Sequence, residues 1–242
     1  MNIAGSVALV TGANRGLGKA FVEALLSSGA AKVYAGARDP SKIADARVIA
    51  VQLDVSSKSE INAAVRQCSD VALLVNNAGA MLNTPILAPN AVDAMRKEME
   101  VNVFGMASMI QGFAPILAKN GGGAIVNMLS VVSWFTSPFN ATYGASKHAA
   151  LAVSDAARIE LRKQGTQVIG VYAGFIDTDM AAAWNGPKTA PAQVVARALE
   201  GVESGLNHVL ADERARKIYD AVRADPEQLE RTQQEAWDQR KL

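Results

Sequence analysis

Between an apolar run at residues 7–10 and an amphipathic stretch at residues 19–26, the chain reads TGANRGLG over residues 11–18. A strand, a glycine turn and a helix in that order leave few folds open. Three glycines in eight residues, Gly12, Gly16 and Gly18, let the backbone turn tightly, admit a pyrophosphate to the main chain, and let the helix close on the strand. The helix N-terminus then offers unpaired N–H groups and the positive end of its dipole to an anion.

The same alternation continues. Apolar strands are expected at residues 32–37, 48–55, 71–75, 124–129 and 167–172, with a short one around Val209. Helical spacing marks residues 57–67, 92–119, 141–164 and 192–203. Strands that are apolar throughout, alternating with helices, predict a doubly wound parallel sheet covered on both faces, with ligands at the carboxyl ends of the strands. Those ends deliver the glycine turn, Arg38, Asp54 and the run Asn76-Asn77-Ala78-Gly79. Asn102 falls midway along the helix 92–119, Ser130 ends the fifth strand, and Tyr143 and Lys147 stand one turn apart on one helix face. No linker divides the 242 residues, so a single domain 1–242 is expected, its charged segment 212–242 a solvated helix and frayed tail. A formal charge of +1 gives no electrostatic case for nucleic acid. The apolar stretch 103–118 is interrupted by Ser108, Gln111, Gly112 and Pro115, which predicts a buried helix and no membrane span. With one cysteine, Cys68, and two histidines, His148 and His208, no disulfide and no metal site are expected, and the cytoplasm is the expected compartment.

With TGANRGLG, NNAG, Asn102, Ser130 and Tyr143-x-x-x-Lys147 in this order, the sequence resembles the single-domain branch of the short-chain dehydrogenase/reductase family over residues 5–210. The resemblance implies a Rossmann-type α/β sheet of about seven strands with helices on both faces, a nicotinamide cofactor, and hydride transfer between a carbonyl and an alcohol. It assigns Ser130 to the substrate oxygen, Tyr143 to acid/base work, Lys147 to the nicotinamide ribose and Asn102 to a water that relays protons to Lys147. It also implies cofactor contacts at Gly12, Asn14, Arg15, Gly16, Leu17, Gly18, Arg38, Asp54, Val55, Asn76, Ala78, Gly79, Tyr143, Lys147, Gly174, Ile176 and Thr178. Chemistry agrees: a free tyrosine has a pKa near ~10, so an adjacent cation is needed to ease its proton exchange at neutral pH. Where the family commonly has Pro-Gly, this chain has Ala173-Gly174, which implies a more mobile loop. The C-terminus also lacks the glycine-containing ending of many tetrameric members.

Family members that prefer NAD place an acid after the second strand. This chain has Ala37 and Arg38 there, and Arg38 with Arg15 makes a guanidinium pair suited to the 2′-phosphate of NADP(H). The expected reaction is NADPH-dependent reduction of a small ketone or aldehyde with an apolar or aromatic body, Trp134, Phe135, Phe139, Phe175, Met180 and Trp184 flanking the site. A 3-oxoacyl thioester reductase is the enzymatic alternative, and a catalytically silent NADP(H) sensor the alternative of another class. A sugar epimerase or dehydratase needs a larger substrate lobe than this chain has room for. A homodimer or homotetramer is expected, paired through the apolar face Met106, Met109, Ile110 and Phe113 unless the C-terminal segment covers it.

Overall fold

A computed structural model describes residues 1–240. Among these, seven parallel strands form one sheet: β1 (Val7–Thr11), β2 (Lys32–Ala37), β3 (Ile49–Gln52), β4 (Leu73–Asn76), β5 (Ala124–Met128), β6 (Gln167–Tyr172) and β7 (His208–Leu210). Their order is β3-β2-β1-β4-β5-β6-β7, so the order reverses between β1 and β4. Such a switch point opens a crevice at the strand ends, and here the glycine turn enters it.

Alternation along each strand builds two apolar layers. In β1, Leu9 faces the layer that holds α2 (Lys58–Gln67), α4 (Met106–Lys119) and α5 (Ala141–Leu161), whereas Ala8 and Val10 face α1 (Gly16–Ser27) and α6 (Pro191–Glu203). The first helix closes this tightly on the sheet because Gly18 carries no side chain. A Cβ there would stand 2.1 Å from the Gly12 carbonyl oxygen.

The helix expected over residues 92–119 is one run, Ala91–Lys119, with a change of winding inside it. After α3 (Ala91–Met99), Glu100–Gly105 is π-helical before α4 resumes. Insertions of this kind re-aim side chains, and Asn102 sits within this one. Length and composition would let the run cross a bilayer. Its Met109, Phe113 and Leu117 are instead fully buried against the sheet, which makes it a core helix.

Two expectations need correction. Met106, Met109, Ile110 and Phe113 do not form a free face: all four are buried in the chain's own core. Hydrophobic spacing locates the apolar stripe of a helix but not which neighbour covers it. The C-terminal segment, apart from its last two residues outside the described range, is no frayed tail. It forms α7 (Glu213–Ala224) and α8 (Pro226–Asp238), capped by Asp212 and Asp225, and folds back over the strand ends. Aromatic contacts hold it there: the Tyr219 ring meets Trp134 edge-on at 5.1 Å, and Trp237 meets Phe139 at 5.3 Å. Contacts of this geometry contribute about 0.5–1.5 kcal/mol each beyond the area they bury.

Candidate active site

At the carboxyl edge of the sheet the elements enclose a cavity of about 410 Å³. The glycine turn forms one end. Gly12 and Gly16 take positive φ, +64° and +52°, which residues with a Cβ rarely adopt. Asn77 pins this turn by donating from Nδ2 to the carbonyls of Thr11 (2.8 Å) and Gly12 (3.3 Å). Thr11 Oγ1 in return accepts from the N–H groups of Asn77 (3.0 Å) and Ala78 (2.9 Å). The cradle these glycines leave, opening on the N-terminus of α1, fits a pyrophosphate.

Arg38 and Asp54 line the same end of the cavity. Burial alone would raise the Asp54 carboxyl. The hydroxyl and N–H of Ser56, with the charge of Arg38, outweigh burial and hold it below its ordinary value. The neighbouring Asp39 turns away, accepting from the Ser41 N–H at 3.2 Å as the cap of the following turn. Arg15 also lines the cavity, but it reaches across the mouth to Asp179, with Nη1 2.9 Å from Oδ2. Both side chains are largely exposed, so the pair holds Arg15 by no more than about 1 kcal/mol.

Ser130, Tyr143 and Lys147 line the other end. Ser130 follows β5 and caps a single turn, accepting from the Val132 N–H at 3.4 Å, while its own N–H donates to Ser133 Oγ. Tyr143 and Lys147 are buried although they face the cavity. Burial pushes the Tyr143 phenol up, the Ser130 hydroxyl partly offsets this, and the Glu98 carboxylate adds to the rise. Lys147 donates from Nζ to the Met128 carbonyl at 2.8 Å, with Nζ 5.7 Å from the centre of the Tyr143 ring. Burial lowers Lys147 to about 8. Burial rather than the lysine charge dominates the tyrosine, which keeps it protonated at neutral pH and available as a donor.

The lowered lysine has a consequence for stability. Its folded pKa lies below the unfolded value, so the unfolded chain binds more protons between about pH 8 and 10.5. Holding the cation inside therefore costs stability at neutral pH, and the cost is relieved as pH rises through that window. After allowance for the lost bond to Met128, Lys147→Met is expected to be more stable than wild type by on the order of 2 kcal/mol at pH 7. Denaturant unfolding of the protein without cofactor checks this. The gap should shrink toward pH 10, and a gap independent of pH contradicts it.

Two expected site residues do not line the cavity. Asn102 turns inward: Nδ2 donates to the Ala80 carbonyl (2.8 Å) and to Ser146 Oγ (2.9 Å), and Oδ1 accepts from the Ala80 N–H (2.8 Å). These bonds tether the loop after β4 to α5. Asn76 donates to Asn127 Oδ1 at 2.9 Å, and Asn127 donates in turn to Ser154 Oγ at 3.0 Å, a buried polar chain across β4, β5 and α5. The other expected catalytic and cofactor residues all line the cavity, Gly174, Ile176 and Thr178 among them; of the expected flanking side chains Phe135, Phe175 and Met180 line it, whereas Trp134, Phe139 and Trp184 do not.

Among the unforeseen residues are several from the C-terminal segment. Asp212, buried at the start of α7, caps that helix by accepting from the Ala215 N–H at 2.7 Å. Its other oxygen accepts from the Gly174 N–H (2.8 Å) and Thr189 Oγ1 (3.3 Å), which ties down both ends of the loop that follows β6. Arg214 lies over the stacked rings of Phe175 and Trp184, at 5.0 and 5.7 Å, and lines the cavity. Gly174 makes room for it, since a Cβ there would stand 2.5 Å from Arg214 Cδ. Gln233 of α8 reaches the cavity as well. The loop expected to be loose is thus anchored by the C-terminal helices.

Comparison with known proteins agrees with this geometry. The sequence profile described as short chain dehydrogenase matches residues 6–189. The chain is 31% identical over 183 residues to an uncharacterised oxidoreductase of Staphylococcus epidermidis, covering 72% of this chain and 79% of that one. It is 33% identical over 188 residues to a 3-oxoacyl-[acyl-carrier-protein] reductase of Synechocystis, covering 72% and 75%. Among solved structures, a short chain dehydrogenase of Burkholderia cenocepacia in complex with NADP is 40% identical with a TM-score of 0.93, covering 96% of this chain and 99% of that one.

Proposed function

This chain belongs to the short-chain dehydrogenase/reductase family, and within it we propose an NADPH-dependent reductase of ketones or aldehydes with an apolar body. The observation that carries this reading is one cavity with Ser130, Tyr143 and Lys147 at one end and, at the other, the glycine cradle with Arg38 following Ala37 where an acid would select NAD. The residues that would hold the cofactor are the turn from Gly12 to Gly18 on the pyrophosphate, Arg38 on the 2′-phosphate, and Ile176 and Thr178 near the nicotinamide. A reduced nicotinamide held there would supply the hydride that the carbonyl carbon takes up. Tyr143 gives its proton to the carbonyl oxygen, where negative charge develops, and Ser130 stabilises the same oxygen by hydrogen bonding. The Lys147 cation offsets the charge left on the phenolate. Asn102 acts as a positioning residue, fixing Ala80 against the helix that carries Tyr143.

The relative from Synechocystis favours 3-oxoacyl thioester reduction as a second reading. Purified protein screened for NADPH oxidation against ketones, aldehydes and thioesters separates the two. Turnover confined to thioesters replaces the first reading with the second, and NADPH binding with no turnover replaces both with a sensor. The working compartment in this account is the cytoplasm, in keeping with Cys68 as a buried free thiol.

We also infer a homodimer or homotetramer. The outward sides of the long helical run and of α5 leave Phe104 and Ile159 58% and 77% exposed. Exposed apolar surface on these rigid elements fits self-association. Light scattering at micromolar concentration is expected to return the mass of two or four chains, and monomer mass alone contradicts it.

A further inference from the structure

Two cavities meet at the same pair of side chains. Phe135 and Gln233 line both the reaction cavity and a second one of about 590 Å³. The second is walled by Ile86 and Leu87 from the loop after β4 and by Leu229 and Trp237 of α8. Among its described lining residues Glu230 alone is charged, so a neutral occupant suits it and an anionic one does not. Leu87 is 92% exposed and Ile86 55%, apolar surface that an apolar occupant would cover. The α8 wall is itself fixed, by the contact of Trp237 with Phe139.

We propose that the second cavity is a binding site for the neutral, apolar tail of the substrate, entered past Phe135 and Gln233 from a carbonyl held at Ser130 and Tyr143. The proposal rests on the reductase reading above. It makes the C-terminal helices the element that selects substrates by length. The two side chains shared with the reaction cavity commit the site to a substrate, and a mostly apolar lining, whose one charged residue Glu230 is exposed, commits the part bound there to an uncharged aliphatic or aryl chain.

Methyl alkyl ketones from butanone to decanone test it. In the wild type, kcat/KM is expected to rise about three- to fourfold per added methylene, the gain of burying each one. Leu229→Trp and Val222→Phe both fill the second cavity, and retained NADPH binding shows that each has folded. In both variants the advantage of decanone over butanone should collapse to within about threefold. A flat wild-type series, or variants that keep the wild-type slope, overturns the proposal. Binding supplies a readout independent of turnover. The neutral fluorophore N-phenyl-1-naphthylamine should bind the wild type, be displaced by decanone, and fail to bind either filled variant. If no ketone is reduced at any length, the reductase reading falls while this binding result still decides the tail site. Fluorophore binding that survives filling overturns the site. So does a variant whose only change is its mass in light scattering, which would assign the cavity to a second copy of the chain.

Discussion

Tyr143→Phe is expected to lower kcat by roughly 10²- to 10⁴-fold, the usual contribution of general acid catalysis, while NADPH binds as in the wild type. The substitution keeps the ring among its buried neighbours and removes the hydroxyl that gives up the proton in this reading. Burial keeps that phenol protonated, and Lys147 beside it carries charge below about pH 8. The same pair sets a pH dependence. As pH rises through about 8 the lysine loses its charge, the phenolate left by proton donation loses its partner, and reduction slows. Cofactor titration and steady-state rates on one preparation check the substitution, and activity within about threefold of the wild type removes Tyr143 from the role.

How much of this was legible in the sequence depended on how far apart the cooperating residues lie. The glycine turn and the Tyr143–Lys147 pair are local: their spacing places them on one turn or one helix face whatever surrounds them. The strand ends were legible because runs that are mostly apolar stop at Arg38, Asp54 and Ser130. Side-chain direction was not. Asn76 and Asn102 stand where polar residues meet the cavity edge, yet each turns into the interior, because a buried Asn127 and the backbone of Ala80 offer partners that no spacing reveals. The C-terminal helices were misjudged on charge. Their signal was present but narrow, Ile218 with Val222 and then Leu229 with Gln233 and Trp237, each four residues apart on a helix. Asp212 and Arg214 carried no local signal, since what they hold, Gly174 and Phe175, lies nearly forty residues earlier and meets them only in the fold.

Removing Arg38 is the second large effect expected. A hydrogen bond to a charged group contributes about 1.5–3 kcal/mol, so Arg38→Ala should weaken NADPH binding roughly ten- to a hundredfold. NADH, without the 2′-phosphate, should bind almost as before. Ala37→Asp is the converse change: it restores the acid that suits a ribose hydroxyl and repels a phosphate, and should move preference toward NADH. Arg15→Ala should have the smaller effect, because Arg15 must first leave Asp179. Equal losses for both cofactors in Arg38→Ala would show that the residue shapes the cleft without reading the phosphate.

The central claim is that one cavity binds NADPH and reduces a carbonyl with Tyr143 as its acid. It is tested most directly by following NADPH consumption and alcohol formation together, with decanone as substrate, in the wild type and in Tyr143→Phe. The account predicts one alcohol per NADPH consumed, a kcat/KM at least about tenfold higher with NADPH than with NADH, and loss of turnover without loss of NADPH binding in the variant. NADH preferred over NADPH, or tight NADPH binding with no carbonyl of any class reduced, would contradict it.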